Sequence, residues 1–215
     1  MTAYIGNKKI SQEGDYGVYG NNKPVVEIYK GSNLIYRWNP FVPQEVVINS
    51  STTEGITKTI ELNKGYYEIE ITGSGSSAYW YWIHIGSPSI AASDGGFPGA
   101  SVHGTIQILK KASYTFIGAE TSGSGGYNSR ASGKPSYLKC NDTNTNFIIA
   151  NGGSGSSGTS SLNINTAYMR NVSLVQDNSS PRGWGEGASG GGGGSTYAGA
   201  GGNGGVYLKY IGQTI

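Results

Sequence analysis

Glycine returns in blocks along this chain, at positions 73–77, 86–104, 118–133, 151–158 and 183–205, and the last block holds an unbroken run of five, Gly190 to Gly194. Each block is followed by apolar residues, as in FIIANGG (Phe147 to Gly153) and VYLKY (Val206 to Tyr210). Flexible linkers would not need such returns, so the blocks read as parts of an ordered body. Glycine lets extended backbones approach closely, as at the axis of collagen, yet the strict every-third-residue period of collagen is missing. The expectation is an all-β chain: a short N-terminal β-hairpin module followed by a glycine-rich β-sandwich-like body with packed polyglycine-II segments. Disordered glycine loops are the alternative.

Composition narrows the classes further. Glycine makes 37 of the 215 residues, more than twice the ordinary share of about 7%. Tyrosine and the β-branched residues favour strands, and long stretches of good helix formers are absent, which excludes a helical bundle and an α/β enzyme. Charged residues are 13% of the chain and the net charge is +2, too balanced for disorder driven by self-repulsion or for a basic surface that binds nucleic acid. The single cysteine, Cys140, has no partner for an internal disulfide, so packing, backbone hydrogen bonds or oligomerisation must hold the fold. Neither an apolar leader nor a membrane-spanning apolar run is visible. The expected setting is a cytoplasm, without export by the general secretory route and without membrane insertion.

Three pieces open the chain: AYIGNKKI, GVYGNNKPVV and EIYKGSNLIYRW. Apolar and aromatic residues flank Gly6-Asn7, Gly20-Asn21 and Gly31-Ser32, and glycine and asparagine accept the positive φ of tight turns. This predicts three small hairpins in a module over residues 1–38, with Tyr4, Tyr19, Tyr29, Tyr36 and Trp38 as its attachment candidates. Prolines at 40 and 43 place a linker over 39–45, and a glycine-rich domain follows over 46–215. There, alternation puts Ile56, Ile60 and Leu62 on one face, then Tyr67, Ile69 and Ile71 beyond a turn at Asn63-Lys64-Gly65. SVHGTIQILKKASYTFIG repeats the plan, with Val102, Ile106, Ile108, Tyr114 and Phe116 inward. Both stretches read as hairpins.

The order KTIELNKGYYEIEITGSG, GGFPGASVHGTIQILKKASYTFIGAE, ANGGSG, GWGEGASGGGGG and GAGGNGGVYLKYIG resembles the glycine-rich domains of phage tail fibres and similar virion appendages, over roughly residues 55 to 212. The T-even-type tail-fibre tip adhesins, with stacked polyglycine-II helices, are a more distant analogue. YIGNKKI with IYKGSNLIYRW is also similar to the short leader of many phage structural proteins. The chain departs from the family at SGSSAYWYWIHIG, where a first polyglycine block is more usual. The resemblance implies a virion protein assembled in the host cytoplasm and partnered by other virion proteins; small cores fit a homotrimer, since symmetric assembly buries what one chain cannot.

Catalytic motifs fail on inspection. Gly187-Ala188-Ser189-Gly190-Gly191 has the spacing of a nucleophile elbow, but both histidines, His84 and His103, precede it in the chain. Gly133-Lys134 is followed by Pro135 instead of Ser or Thr, so no phosphate loop forms. Glu68 and Glu70 share a strand face and imitate a glycosidase pair, though same-face carboxylates on an exposed edge are usually a solvated stripe. No zinc spacing occurs and no cofactor is expected; an oxygen-only cation site near Asp94 or Asn141-Asp142 stays open.

Recognition has more behind it. Alternation along Tyr79 to Ile85 places Trp80, Trp82 and His84 on one face and Tyr79, Tyr81, Ile83 and Ile85 on the other. Exposed, such rings stack on sugars or anchor a protein; buried, one row fills the domain and the other a subunit interface. Tyr127, Arg130, Tyr137, Trp184 and Tyr197 lie in Tyr-, Ser-, Gly- and Asn-rich loops of the kind that make antibody paratopes, and complete the receptor-binding candidates. The sequence therefore points to an appendage protein that is not an enzyme and that recognises a host-surface glycan or protein. A capsid or tail decoration protein without a receptor is the alternative, and a polysaccharide depolymerase using Glu68 and Glu70 a second.

Overall fold

The computed structural model describes the backbone of residues 3–5, 8–10, 18–20, 23–25, 27–30, 32–37 and 45–49, and backbone and side chains over 54–84, 89–187 and 198–212. Among these residues there is no helix. The chain divides into two units, Met1–Pro43 and Gln44–Ile215.

The first unit contains three antiparallel pairs: β1 (Ala3–Ile5) with β2 (Lys8–Ile10), β3 (Val18–Gly20) with β4 (Lys23–Val25), and β5 (Glu27–Lys30) with β6 (Asn33–Arg37). Two residues separate the strands of each pair, the shortest common hairpin connection. Tyr4, Tyr19, Tyr29 and Tyr36 sit on these strands, opposite Lys9, Pro24, Leu34 and Ile28. Trp38 lies outside the described residues.

In the second unit, two antiparallel sheets pack face to face. One has the order β17 (Met169–Asn171), β12 (Ser101–Ile108), β9 (Gly65–Thr72), β19 (Gly205–Gly212), β7 (Glu45–Asn49), with β18 (Val175–Asp177) also on β12. The other runs β16 (Ser160–Leu162), β15 (Thr145–Ala150), β14 (Ser136–Cys140), β13 (Ala112–Gly118), β8 (Ile56–Leu62). β7 thus starts at Glu45, the last residue of the segment read as a linker; 38–44 lie outside the described residues. Tyr67, Ile69, Ile71, Val102, Ile106, Ile108, Val206 and Leu208 meet Leu62, Tyr114, Phe116, Leu138, Phe147 and Ile148 between the sheets, all essentially free of solvent. A bulge between Leu138 and Lys139 lets β15 turn both Phe147 and Ile148 inward. Phe147 then meets Tyr114 edge-on at 6.3 Å.

The inward rows agree with the alternation, but the pairing does not. β8 pairs with β13 and β9 with β12, whereas β8 and β9, like β12 and β13, belong to opposite sheets. The two stretches read as hairpins are corners. At the first, Tyr67 donates its hydroxyl to the Asn63 carbonyl at 2.9 Å. Gly65 has φ +144°, and a side chain there would enter the Tyr210 ring, so the chain turns into the second sheet. Ile56, expected inward, is 38% exposed, because it lies at the rim of its sheet.

Beyond the sheets the described parts of the glycine blocks form a bundle of extended segments; Gly190 to Gly194 lie outside the described residues. Residues 73–78 continue β9 and are buried throughout. Gly73 and Ser76 donate backbone N–H bonds to Ala100 and Phe97; Ser74 and Ser77 donate to Lys134 and Ala131; Gly75 and Ala78 donate to Gly202 and Gly199, at 2.9–3.0 Å. The donors rotate from neighbour to neighbour and return to the same one every third residue. All three neighbouring segments run opposite to 73–78 and feed into β12, β14 and β19. Around them Gly99 donates to Gly185, Gly185 to Asn203, Gly202 to Glu186, Ala100 to Asn151 and Gly133 to Gly153.

Three serines reinforce this bundle. Oγ of Ser74, Ser76 and Ser77 accepts from the amides of Lys134, Phe97 and Ala131, each at 2.7 Å. Each serine therefore binds the neighbour reciprocally, giving its N–H and accepting on its hydroxyl. At the crossings side chains have no room: a Cβ on Gly75 would overlap the Glu186 carbonyl, and one on Gly125 the Ala78 carbonyl.

Candidate functional site

Segment 73–78 leaves the sheets as the end of β9 and at its far end becomes β10 (Tyr79–Ile83), which pairs with β11 (Ile90–Asp94) before the chain returns through 95–100. A six-residue extended segment spans about 20 Å at roughly 3.3 Å per residue. The β10–β11 hairpin is thus held at the end of the bundle remote from the sheets.

Its two faces differ. Trp80 and Trp82 lie opposite Ser93 and Ala91, and these small partners leave the indoles uncovered from across the hairpin. Their rings meet edge-on, centroids 6.0 Å apart at 87°. Tyr127 joins them from the neighbouring loop, 4.8 Å from Trp80 and tilted by 49°. Backbone bonds fix that loop: Trp80 N–H donates to Gly126 at 3.2 Å and Asn128 N–H to Trp80 at 2.8 Å. Asn128 takes the left-handed φ of +48° that lets the turn close on the Gly126–Ser129 bond. Trp80 is half-buried beneath its neighbours, whereas Trp82 is 44% and Tyr127 53% exposed. His84 extends the same side, exposed, with Nδ1 2.7 Å from Ser89 Oγ.

The opposite face is closed by Arg130. Its guanidinium lies over Tyr79 at 4.3 Å and Phe97 at 4.7 Å, donates twice to the Gly95 carbonyl, and pairs with Asp94 at 2.9 Å. Only 20% of the side chain is exposed. Arg130 is committed within the protein, and Asp94, proposed as a cation ligand, is its counter-ion. Asn141, the other cation possibility, spends its side chain on Ser113 and Thr115. Among the described residues no group of three or more His, Cys, Asp or Glu is placed to hold a metal ion.

The remaining receptor candidates lie elsewhere. Tyr137 stands on β14 between Ile117 and Ile149, half-buried on the sandwich. Trp184, 9% exposed, packs over Gly205, where a side chain would strike its ring. It anchors the bundle and offers no ring to solvent. Tyr197 lies outside the described residues. The structure thus brings together Trp80, Trp82, His84 and Tyr127, with Arg130 behind them.

Glu68 is exposed to solvent but Glu70 is not, and neither lies on a sheet edge. β9 is an inner strand, between β12 and β19, and a segment that sequence reasoning missed crosses it. Glu70 is 3% exposed and accepts from Ser180 Oγ and from Thr72 Oγ1. Arg182 pairs with Glu70 at 3.3 Å and Glu68 at 3.7 Å and stacks on Tyr207 at 3.4 Å. Arg182 thus clamps the two carboxylates beside Tyr207. No local signal marks Ser180 or Arg182, which lie more than 100 residues from Glu70 in sequence.

The chain matches no family model, no curated protein and no solved structure.

Proposed function

We propose that this chain is a phage virion protein of a tail fibre or other appendage, whose N-terminal unit attaches to the particle and whose second unit presents the Trp80–Trp82–Tyr127 face to the host surface. Two rings 44% and 53% exposed, one on the hairpin and one on the loop that backbone bonds fasten to it, carry this reading. Ordered aromatic rings in water forgo the burial that ordinarily accounts for them, which is the signature of a surface kept for a partner. The sequence resemblance supports the virion setting. We further infer that the glycine segments are polyglycine-II helices; the return of donors to the same neighbour every third residue supports it. Assembly as a homotrimer with other virion proteins completes the proposal.

Antibody raised against residues 54–212 should decorate an appendage in electron micrographs of the phage, and the purified chain should compete with phage for adsorption to host cells. Absence of label on intact and opened particles would remove the virion reading. A capsid or tail decoration protein is the second reading, favoured by Ile90, which is 44% exposed on the hairpin's other face. It predicts labelling without competition.

A further inference from the structure

We propose that the Trp80–Trp82–Tyr127 face binds an uncharged pyranose glycan; this rests on its being the host-recognition surface. Charge makes the first argument. Residues 73–93, 121–129 and 198–208, which supply the hairpin, the Tyr127 loop and the segment bonded to both, contain no Asp, Glu, Lys or Arg. Of the charged residues bounding the hairpin and the loop, Asp94 and Arg130 neutralise each other on the opposite face and Glu120 pairs with Lys134. A phosphate, a carboxylated sugar or a charged peptide would lose its hydration on this face without gaining a counter-ion. Such ligands are disfavoured by composition as well as by geometry.

Ring geometry makes the second argument. Trp80 and Trp82 meet at 87°, and Tyr127 is tilted by 49° from Trp80, so the face presents a corner instead of a flat shelf. A planar base would stack on one ring and leave the others idle. A chair-shaped sugar presents C–H groups in more than one direction and meets two inclined rings together. Ser89, Asn128 and the imidazole of His84 stand at the margin. These polar groups can donate to or accept from hydroxyls, the pattern of few polar groups around an apolar floor that orients a small ligand.

The test is titration of the full chain with a panel of neutral oligosaccharides (gluco-, manno-, galacto- and N-acetylglucosamine oligomers) and two acidic ones, sialyllactose and oligogalacturonate. Tryptophan fluorescence and calorimetry would follow binding. At least one neutral oligomer should bind, with an affinity unchanged from low to about 0.5 M salt. Trp82→Ala and Tyr127→Ala should each weaken it by about tenfold or more while the circular dichroism and melting temperature stay as in the parent. Binding confined to the acidic sugars, neutral binding indifferent to both substitutions, or no neutral binding at millimolar ligand would each overturn the proposal. So would dissociation of an oligomer by Trp82→Ala, which would assign the face to a second copy. If saccharide binding fails while the chain still competes for adsorption, the ligand class is wrong and the host-recognition reading stands; failure of both removes both.

Discussion

Tyr114 shows how closely a single polar atom is judged inside the sandwich. Its hydroxyl is buried with no hydrogen-bond partner, and burial pushes the phenol well above its ordinary range, with Cys140 and Asp142 adding to the shift. Tyr67 is raised by burial too, then by Tyr210, against the bond to Asn63. Replacing Tyr114 by Phe removes an unsatisfied group without opening a cavity. Urea denaturation should show Y114F more stable by about 1 kcal/mol. In both tyrosines the folded state holds the proton more firmly than the unfolded chain. Their contribution is complete below about pH 10 and is lost as the pH rises further, so alkaline titration should unfold Y114F later than the parent. Arg182 is the converse case. Arg182→Ala would leave Glu70 buried without its cation, and the same denaturation should record a loss of about 3 kcal/mol.

At the scale of elements, the bundle depends on serines as much as on glycines. Ser76→Ala keeps the backbone bond from residue 76 to Phe97 but strips the Phe97 amide of its acceptor. A loss of about 1–3 kcal/mol is expected, visible as faster hydrogen exchange at Phe97. None of this is legible in GSGSSA, because a reciprocal serine bond depends on a partner brought close only by folding. The sheets divide the same way. Inward rows such as Tyr67, Ile69 and Ile71 follow from alternation, a local property. The corner at Asn63-Lys64-Gly65 has the residues of a hairpin turn, and only the competing register between β9 and β12 decides that the strands part. In the hairpin, the separation of Trp80 and Trp82 from Tyr79 and Tyr81 was readable. Arg130's position behind it was not, since Asp94, Gly95 and Phe97 reach it from more than 30 residues away.

Across the second unit, burial does not follow hydrophobicity. Residues 73–78 are glycine, serine and alanine, yet all are buried, and their amides bond to three separate segments. Native-state exchange should therefore find the amides of 73–78 protected to the same degree as those of β9 and β12, since opening any of them requires the surrounding segments to part. Exchange of that stretch at the rate of exposed loops would contradict the described packing.

That arrangement also governs how the unit would carry a load. A pull on the β10–β11 hairpin against the sheets runs along the extended segments, whereas the bonds between them lie across that line. Bonds in this orientation are sheared together, with no free end from which to peel one at a time. The bundle is therefore stiffest along its own axis, the direction in which the hairpin would be tugged by whatever it holds.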